Sequence, residues 1–413
     1  MQNEKALLIR AAKMFDGVEE SYAEDVSVLL KNGVIKEVSS GKMNKLPADA
    51  EVVEYDGVLL PGLIDAHTHI TLDGGVDPVA TMMQENSAQR AARAVENLRR
   101  HLAFGVTTIR EMGAPEREDI SLRDMVASGA IIGPRVIAAG KALCITGGHG
   151  FWMGDECDGA AGFARGAREN LKAGADHLKI IATGGVLTEG VEPGSPQMSL
   201  EEMREVCEAA RRANRQVGAH AQGTEGILNA LKAGVKTIEH GFFIDDECIA
   251  EFREKGAFLL PTFAAADGMI DNSDRMPAFV QDKMSRCDKA QVDSFHLAVK
   301  SGVPIAAGTD CGTPFNPHGG IVRELTGLNR RGYPPGKCLI AATSGAAAAV
   351  GRSNIGRIAV GIYADLIGVH GDPLARVEDI AEPDLIIKNG VNYSFLAGLR
   401  SEKRAGTQFS GPR

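Results

Sequence analysis

Six residues of this 413-residue chain could together ligate cations, because their neighbours place them in or at the ends of predicted strands. His67 and His69 stand two apart in IDAHTH. On an extended strand that spacing aims both imidazoles to one side. Lys179 interrupts an otherwise apolar run, HLKIIAT; His220 ends QVGAH, His240 closes KTIEH and Asp310 closes VPIAAGTD. Each alone has an ordinary explanation: a strand-end histidine is usually a hydrogen-bonded structural residue, and Asp310 could cap a helix. Together, four of the ten histidines, one lysine and one aspartate fall at the same end of five strands. Imidazole nitrogens and carboxylate oxygens gathered in this way suit zinc, and also manganese, cobalt or ferrous iron.

Lys179 needs a separate argument. Burying an ammonium costs on the order of several kcal/mol unless it is neutralised or paired. Reaction with CO₂ turns the amine into an anionic carbamate whose two oxygens can meet two cations, and the cations then favour the modified form. An unmodified lysine paired with a carboxylate, or a Schiff-base lysine, are the other readings of the position.

These groups need a scaffold that brings strand ends together. Eight short apolar runs read as buried strands: VLLPGLIDAH, GVTTIR, PRVIAAG, HLKIIAT, QVGAH, KTIEHG, AFLLPTF and VPIAAGTD. Helical patterns lie between them. Ala88, Ala91, Ala92, Val95, Leu98 and Leu102 recur at helical spacing, and Ser199 with Glu202 forms a capping box ahead of Leu200, Met203, Val206, Cys207 and Ala210. Alternating strands and helices predict an α/β fold with a parallel sheet, and eight such units suit a (β/α)8 TIM barrel over 59–355. A doubly wound open sheet fits the same pattern. Residues 1–58 and 356–413 are strand-rich and together read as a small β-sandwich domain built from both termini. The stretches 183–198 and 264–277 read as long loops, which in barrels often contact substrate.

Composition narrows the function. The net charge is −9, with no basic run, which argues against nucleic acid or anionic membranes as partners. No stretch approaches a membrane span, and MQNEKALLIR lacks the layout of a secretion signal. Seven cysteines without paired spacing read as reduced thiols in a cytoplasmic protein.

The segments PGLIDAHTH, LKIIATGGV, GAHAQG, IEHG and AGTDCGTPFNPHG resemble the amidohydrolase superfamily along nearly the whole chain. TGGHG, GVTTIREMG and ADLIGVHGDPL bring the resemblance closest to its Xaa-Pro dipeptidase (prolidase)-like branch, which is related to the imidazolonepropionases. The resemblance implies two divalent metal ions, zinc first among them. His67, His69 and Asp310 would hold one ion, His220 and His240 the other, and carboxylated Lys179 would bridge them beside a water or hydroxide. That hydroxide would attack an amide carbonyl of a small-molecule substrate, with Asp310 moving its proton to the leaving nitrogen and His149 steadying the oxyanion.

Dipeptides of the Xaa-Pro kind or N-acyl amino acids are the leading substrate classes. A cyclic or xenobiotic amide is the alternative. A mononuclear deaminase or imidazolone hydrolase fits less well, because Lys179 is present and Glu225 lies five residues beyond His220. Arg110, Glu189, Gln222, His318 and Glu324 are further candidates for substrate contact. Gln222 stands where relatives often have histidine. For Arg110 a buried structural ion pair is an equal reading. Cys144 and Cys311, without a histidine partner in sequence, read as packing residues. Relatives are commonly oligomeric, so a homo-oligomer is left open.

Overall fold

The computed structural model of the chain describes residues 5–43 and 45–401. Four strands come first: β1 (Leu7–Met14), β2 (Ala23–Lys31), β3 (Val34–Ser40) and β4 (Glu51–Pro61). The middle carries β5 (Leu63–Thr68), β6 (Val106–Glu111), β7 (Arg135–Ile137), β8 (Ala142–Cys144), β9 (Gly154–Glu156), β10 (Leu178–Ile181), β11 (Val217–Ala221), β12 (Thr237–His240) and β13 (Phe258–Leu260). β14 (Leu366–Val369), β15 (Leu385–Lys388) and β16 (Val391–Asn392) follow.

Strands from both ends of the sequence share one sheet, in the order β16-β15-β14-β4-β1-β2-β3. β4 is the joint. It runs parallel to β1 and then pairs antiparallel with β14, Pro61 opposite Leu366. Its eleven residues are long enough to serve both partners, so these strands bond as one sheet rather than the two of the expected sandwich. Ile9, Val28, Leu30, Leu366 and Ile387 meet in a single apolar cluster, which ties the two ends of the chain together. Residues 402–413, included in the sequence-based small domain, lie outside the described residues.

The middle strands are parallel and fall in two sheets, β5-β6-β7 and β13-β12-β11-β10-β8-β9. Backbone hydrogen bonds join the sheets on both sides. Asp176 N donates to Ala138 O at 2.8 Å, linking the entry to β10 with the end of β7. On the other side Ala306 N donates to Leu259 O, Ala66 N to Ala307 O and Asp310 N to His67 O. The expected strand VPIAAGTD therefore exists as a connecting segment with isolated bridges at Ile305 and Cys311, not as a full ladder. Leu63, Ile109, Leu178, Ile180, Ala219, Ile238 and Leu259 from these strands are buried in one core. Burial of this kind, about 25 cal/mol per Å² of apolar surface, holds the strand ends in fixed relation.

Two local expectations are corrected. The helix Ser87–Ala103 buries Arg90, Ala94, Asn97, Leu98, His101 and Leu102, while Ala88 and Ala92 face solvent. Polar anchors turned the face: Asn97 donates to Ile70 O and Leu72 O, and Arg90 pairs with Glu118. The stretch 264–277 is mostly helical, with a helix at Phe263–Ile270 and a 3-10 turn at Ser273–Arg275. Its three consecutive alanines are strong helix formers that outweigh Gly268. The capping box at Ser199 and Glu202 is present, and 183–198 carries no helix or strand. No helix among the described residues is long and apolar enough to cross a membrane.

Candidate metal centre and its pocket

The strands β5, β10, β11 and β12 and the segment ending at Asp310 deliver their polar residues to one cavity, which His67, His69, Lys179, His220, His240 and Asp310 all line. His67 Nε2 and His69 Nε2 are 3.3 Å apart, and Asp310 Oδ1 lies 3.3 and 3.2 Å from them. Three ligand atoms this close around one point fit a single cation. Burial alone would raise the Asp310 pKa, but His67 and His69 outweigh it and hold the carboxyl well below its usual range.

Hydrogen bonds on the far side of each ring decide which nitrogen is free to ligate. His67 Nδ1 lies 2.9 Å from Glu239 Oε2, which accepts its N–H and leaves Nε2 as the nitrogen turned toward His69 and Asp310. His240 Nδ1 meets Thr262 Oγ1 at 2.7 Å, and that hydroxyl already donates to Pro261 O. The hydroxyl must then accept, so His240 Nε2 is the free nitrogen. His220 Nε2 faces Gly184 O at 3.1 Å, a pure acceptor, which frees Nδ1 instead. The ring centroids of His220 and His240 are 4.6 Å apart. Burial pushes His240 down to about 3 and His220 well below its ordinary value, so both are neutral donors. His240 and Asp310 hold φ of 73° and 55°, left-handed conformations that non-glycine residues rarely adopt.

Lys179 is 1% exposed. Burial lowers its pKa to about 8, with Glu239 and Asp310 opposing the drop. Among the described residues no carboxylate forms a salt bridge with it, although the charges of Glu239 and Asp310 both act on it. A readily deprotonated amine beside imidazoles with free lone pairs is where a carbamate between two cations fits. The donor set thus matches a two-ion centre in chemistry.

His149 also lines the cavity, 4.5 Å from His220 between ring centroids. Its Nδ1 meets Thr188 Oγ1 at 2.8 Å, and its backbone N donates to Gln197 Oε1. Gly185 makes the close approach feasible, because a Cβ there would sit 2.4 Å from His149 Nε2. The remaining lining is largely apolar, with Trp152, Ile181, Val186, Leu187, Phe242 and Met269. Gln222 also lines it, and its buried Oε1 has no hydrogen-bond partner in the protein.

Other sequence candidates stand elsewhere. Arg110 is buried beneath the centre, where it donates to Ala66 O, Thr237 and Glu239, so it is committed to structure rather than to a substrate carboxylate. Glu324 is fully buried and accepts from Ala264 N. His318 is buried against Leu72 O. Glu189 is solvent-exposed on its loop, as is Glu225 on the helix Thr224–Ala233. None of these five lines the cavity. Cys311, read as lacking histidine partners, has two, His101 and His318. The distant sequence positions 101 and 318 gave no sign of that meeting. Sequence reasoning also missed Glu239, though a carboxylate inside the short apolar run TIEH was a visible signal.

Residues 58–392 match the Amidohydrolase family. The chain belongs to that family and is a hydrolase. It is 30% identical over 362 residues to the ochratoxinase of Aspergillus niger, a match spanning 80% of this chain and 73% of the relative. A solved Xaa-Pro dipeptidase with methionine bound in its active site superposes with a TM-score of 0.87 at 30% identity, covering 94% of this chain and all of the other. The imidazolonepropionase of Anaeromyxobacter dehalogenans is 26% identical over 360 residues, 77% of each chain. Within the superfamily the chain falls in the prolidase-like branch.

Proposed function

We propose that this hydrolase cleaves an amide bond between an apolar acyl group and an amino acid or amine, using two divalent cations, zinc first among them. The observation that carries the reading is the set of four imidazoles, Lys179 and Asp310 lining one cavity, with the ligand nitrogen of His67, His220 and His240 fixed by an outer hydrogen bond. His67, His69 and Asp310 would hold one ion, His220 and His240 the second, and carboxylated Lys179 both. Bound there, the cations would acidify a water and polarise the carbonyl.

The chain's own groups do the rest. Asp310, held as a carboxylate, takes the proton of the attacking water and hands it to the departing nitrogen. His149 is neutral, burial having lowered it to about 3. In the tautomer whose Nδ1 accepts from the Thr188 hydroxyl, its Nε2–H would donate to the developing oxyanion. Trp152, Phe242 and Met269 exclude water and seat the apolar part. Gln222 Oε1 accepts an N–H of the substrate. The scaffold in this reading is a closed (β/α)8 barrel over 59–355, with 1–58 and the described residues from 356 onward as the small domain. Seven free, buried cysteines favour a reducing cytoplasm.

N-acyl amino acids and apolar dipeptides lead as substrates. An uncharged cyclic or xenobiotic amide is the second reading, favoured by one observation: Arg110, the expected partner of a carboxylate, is spent on Glu239. Turnover of N-acyl amino acids beside their carboxamide counterparts separates the two. Cleavage of the acids supports the first, cleavage of the neutral amides alone the second, and cleavage of neither by the metal-loaded enzyme overturns the amide reading. Asp310→Asn should cut turnover sharply, and near wild-type turnover would remove its proton-carrying role.

A further inference from the structure

Behind the cavity, on the far side of the segment bearing Asp310, three soft donors meet. His101 Nε2 and His318 Nδ1 are 3.1 Å apart. Cys311 Sγ lies 3.4 Å from the first and 3.3 Å from the second. All three residues are buried, at 0, 2 and 0% exposure for His101, His318 and Cys311. They come from three places: the helix Ser87–Ala103, the residue after Asp310, and the approach to the helix Ile321–Arg330.

We propose that His101, Cys311 and His318 form a second, structural metal site for one zinc-class cation. The spacing supports it: ligands at about 2.0–2.1 Å (N) and about 2.3 Å (S) from zinc stand roughly 3.3–3.6 Å apart in a tetrahedron. The observed triangle of 3.1 to 3.4 Å is close to that without rearrangement. Proton placement points the same way. His318 Nε2 faces Leu72 O at 2.9 Å, an acceptor only, so it carries the hydrogen and Nδ1 turns a lone pair toward the cluster. In a metal-free cluster, the Cys311 sulfur can accept a His101 Nε2–H while its own S–H goes to that lone pair, so a hydrogen-bonded triad is the alternative to the cation. The other His101 tautomer would instead set two lone pairs against each other. A cation accepts both nitrogens and the sulfur together. On binding, the thiol proton leaves to solvent and an S–cation bond replaces the S–H bond.

Two imidazoles with a thiolate select zinc or a similarly soft ion over magnesium or calcium. The site's role is positional. Cys311 follows Asp310, and Cys311 O accepts from His69 N at 3.1 Å. A cation here would pin the helix Ser87–Ala103 to the segment that aims both His69 and Asp310.

Cobalt loading of the full chain tests the proposal without an activity readout. No cysteine lines the catalytic cavity. Thiolate-to-cobalt charge-transfer absorption in the near ultraviolet therefore reports on a cysteine site, and its loss in Cys311→Ser assigns it to this one. The expected result is that band in the wild type, its absence in Cys311→Ser, and one metal ion fewer per chain in both Cys311→Ser and His101→Gln. If Cys311→Ser does not fold, His101→Gln carries the stoichiometry alone. No band in the cobalt-loaded wild type, or a metal content in His101→Gln equal to the wild type, overturns the proposal and leaves a hydrogen-bonded triad.

Discussion

Glu239 Oε2 lies 2.9 Å from His67 Nδ1, and its other oxygen lies 3.0 Å from the guanidinium of Arg110. One carboxylate thus fixes the tautomer of a candidate metal ligand while neutralising a buried cation. Burial alone would raise its pKa, but Arg110 and His67 outweigh that and hold Glu239 far below the ordinary range. Its Oε2, accepting from Nδ1, marks Nε2 as the nitrogen His67 would offer a cation.

Glu239→Gln should therefore act on metal affinity more than on pocket shape. Outer partners of metal-binding histidines are worth about 10- to 100-fold in affinity. The measurement is metal content after dialysis against graded chelator. Unchanged retention would show that His67 is oriented by packing alone.

Under the proposed function, carboxylated Lys179 would link metal loading to CO₂. Apo-protein reconstituted with zinc should recover activity faster in bicarbonate than in CO₂-free buffer, because the carbamate must form before the second ion is held. Lys179→Ala should lose activity and part of its metal in either buffer. Equal recovery with and without bicarbonate would rule out the carbamate.

Lys283, on the helix Ala278–Lys300, donates to Thr188 O and Val191 O at 2.6 Å and to Gly185 O at 3.4 Å. It pins the loop that presents Val186, Leu187 and the Thr188 hydroxyl. Lys283→Met should free that loop, raising KM about tenfold, the equivalent of ~1.4 kcal/mol. Turnover should fall as well, because His149 loses its Thr188 partner. Steady-state kinetics with metal content held constant check this; wild-type KM would show that the loop is held by its own packing.

The donor set was legible because it is written in strand periodicity: His67 with His69, and single polar residues closing apolar runs. What tertiary contact decides was not. Nothing local distinguishes Arg110 facing a substrate from Arg110 facing Glu239, since the two meet across 129 positions. The positive φ of His240 and Asp310 is imposed by the surrounding structure on residues that would not choose it. The buried stripe on Ser87–Ala103 misled for a related reason: Asn97 and His101 face inward because their hydrogen-bond partners are there, and alanine spacing carries no such information.

Glu324 offers a pH test away from the catalytic cavity. Its Oε2 accepts from Ala264 N at 2.7 Å, while Oε1 is buried without a hydrogen-bond partner. Burial raises the carboxyl from 4.5 to about 8. Below 4.5 both folded and unfolded chains hold the proton, and the contribution to stability is fully present. As pH rises toward 8 the unfolded chain gives up its proton while the folded chain keeps it, so stability drains away across that window. A difference of this size is worth on the order of 3–5 kcal/mol. Glu324→Gln keeps the acceptor for Ala264 N and cannot ionise. The wild type should therefore lose ground to the variant between pH 5 and pH 8.5, read as urea unfolding midpoints of the metal-loaded proteins. Asp65 and Asp119 are also raised by burial, to about 6 and about 7, but both are present in each protein and cancel in the comparison. Parallel pH profiles for the two proteins would mean that Glu324 is ionised in the fold and that its unpartnered oxygen finds a cation or water there.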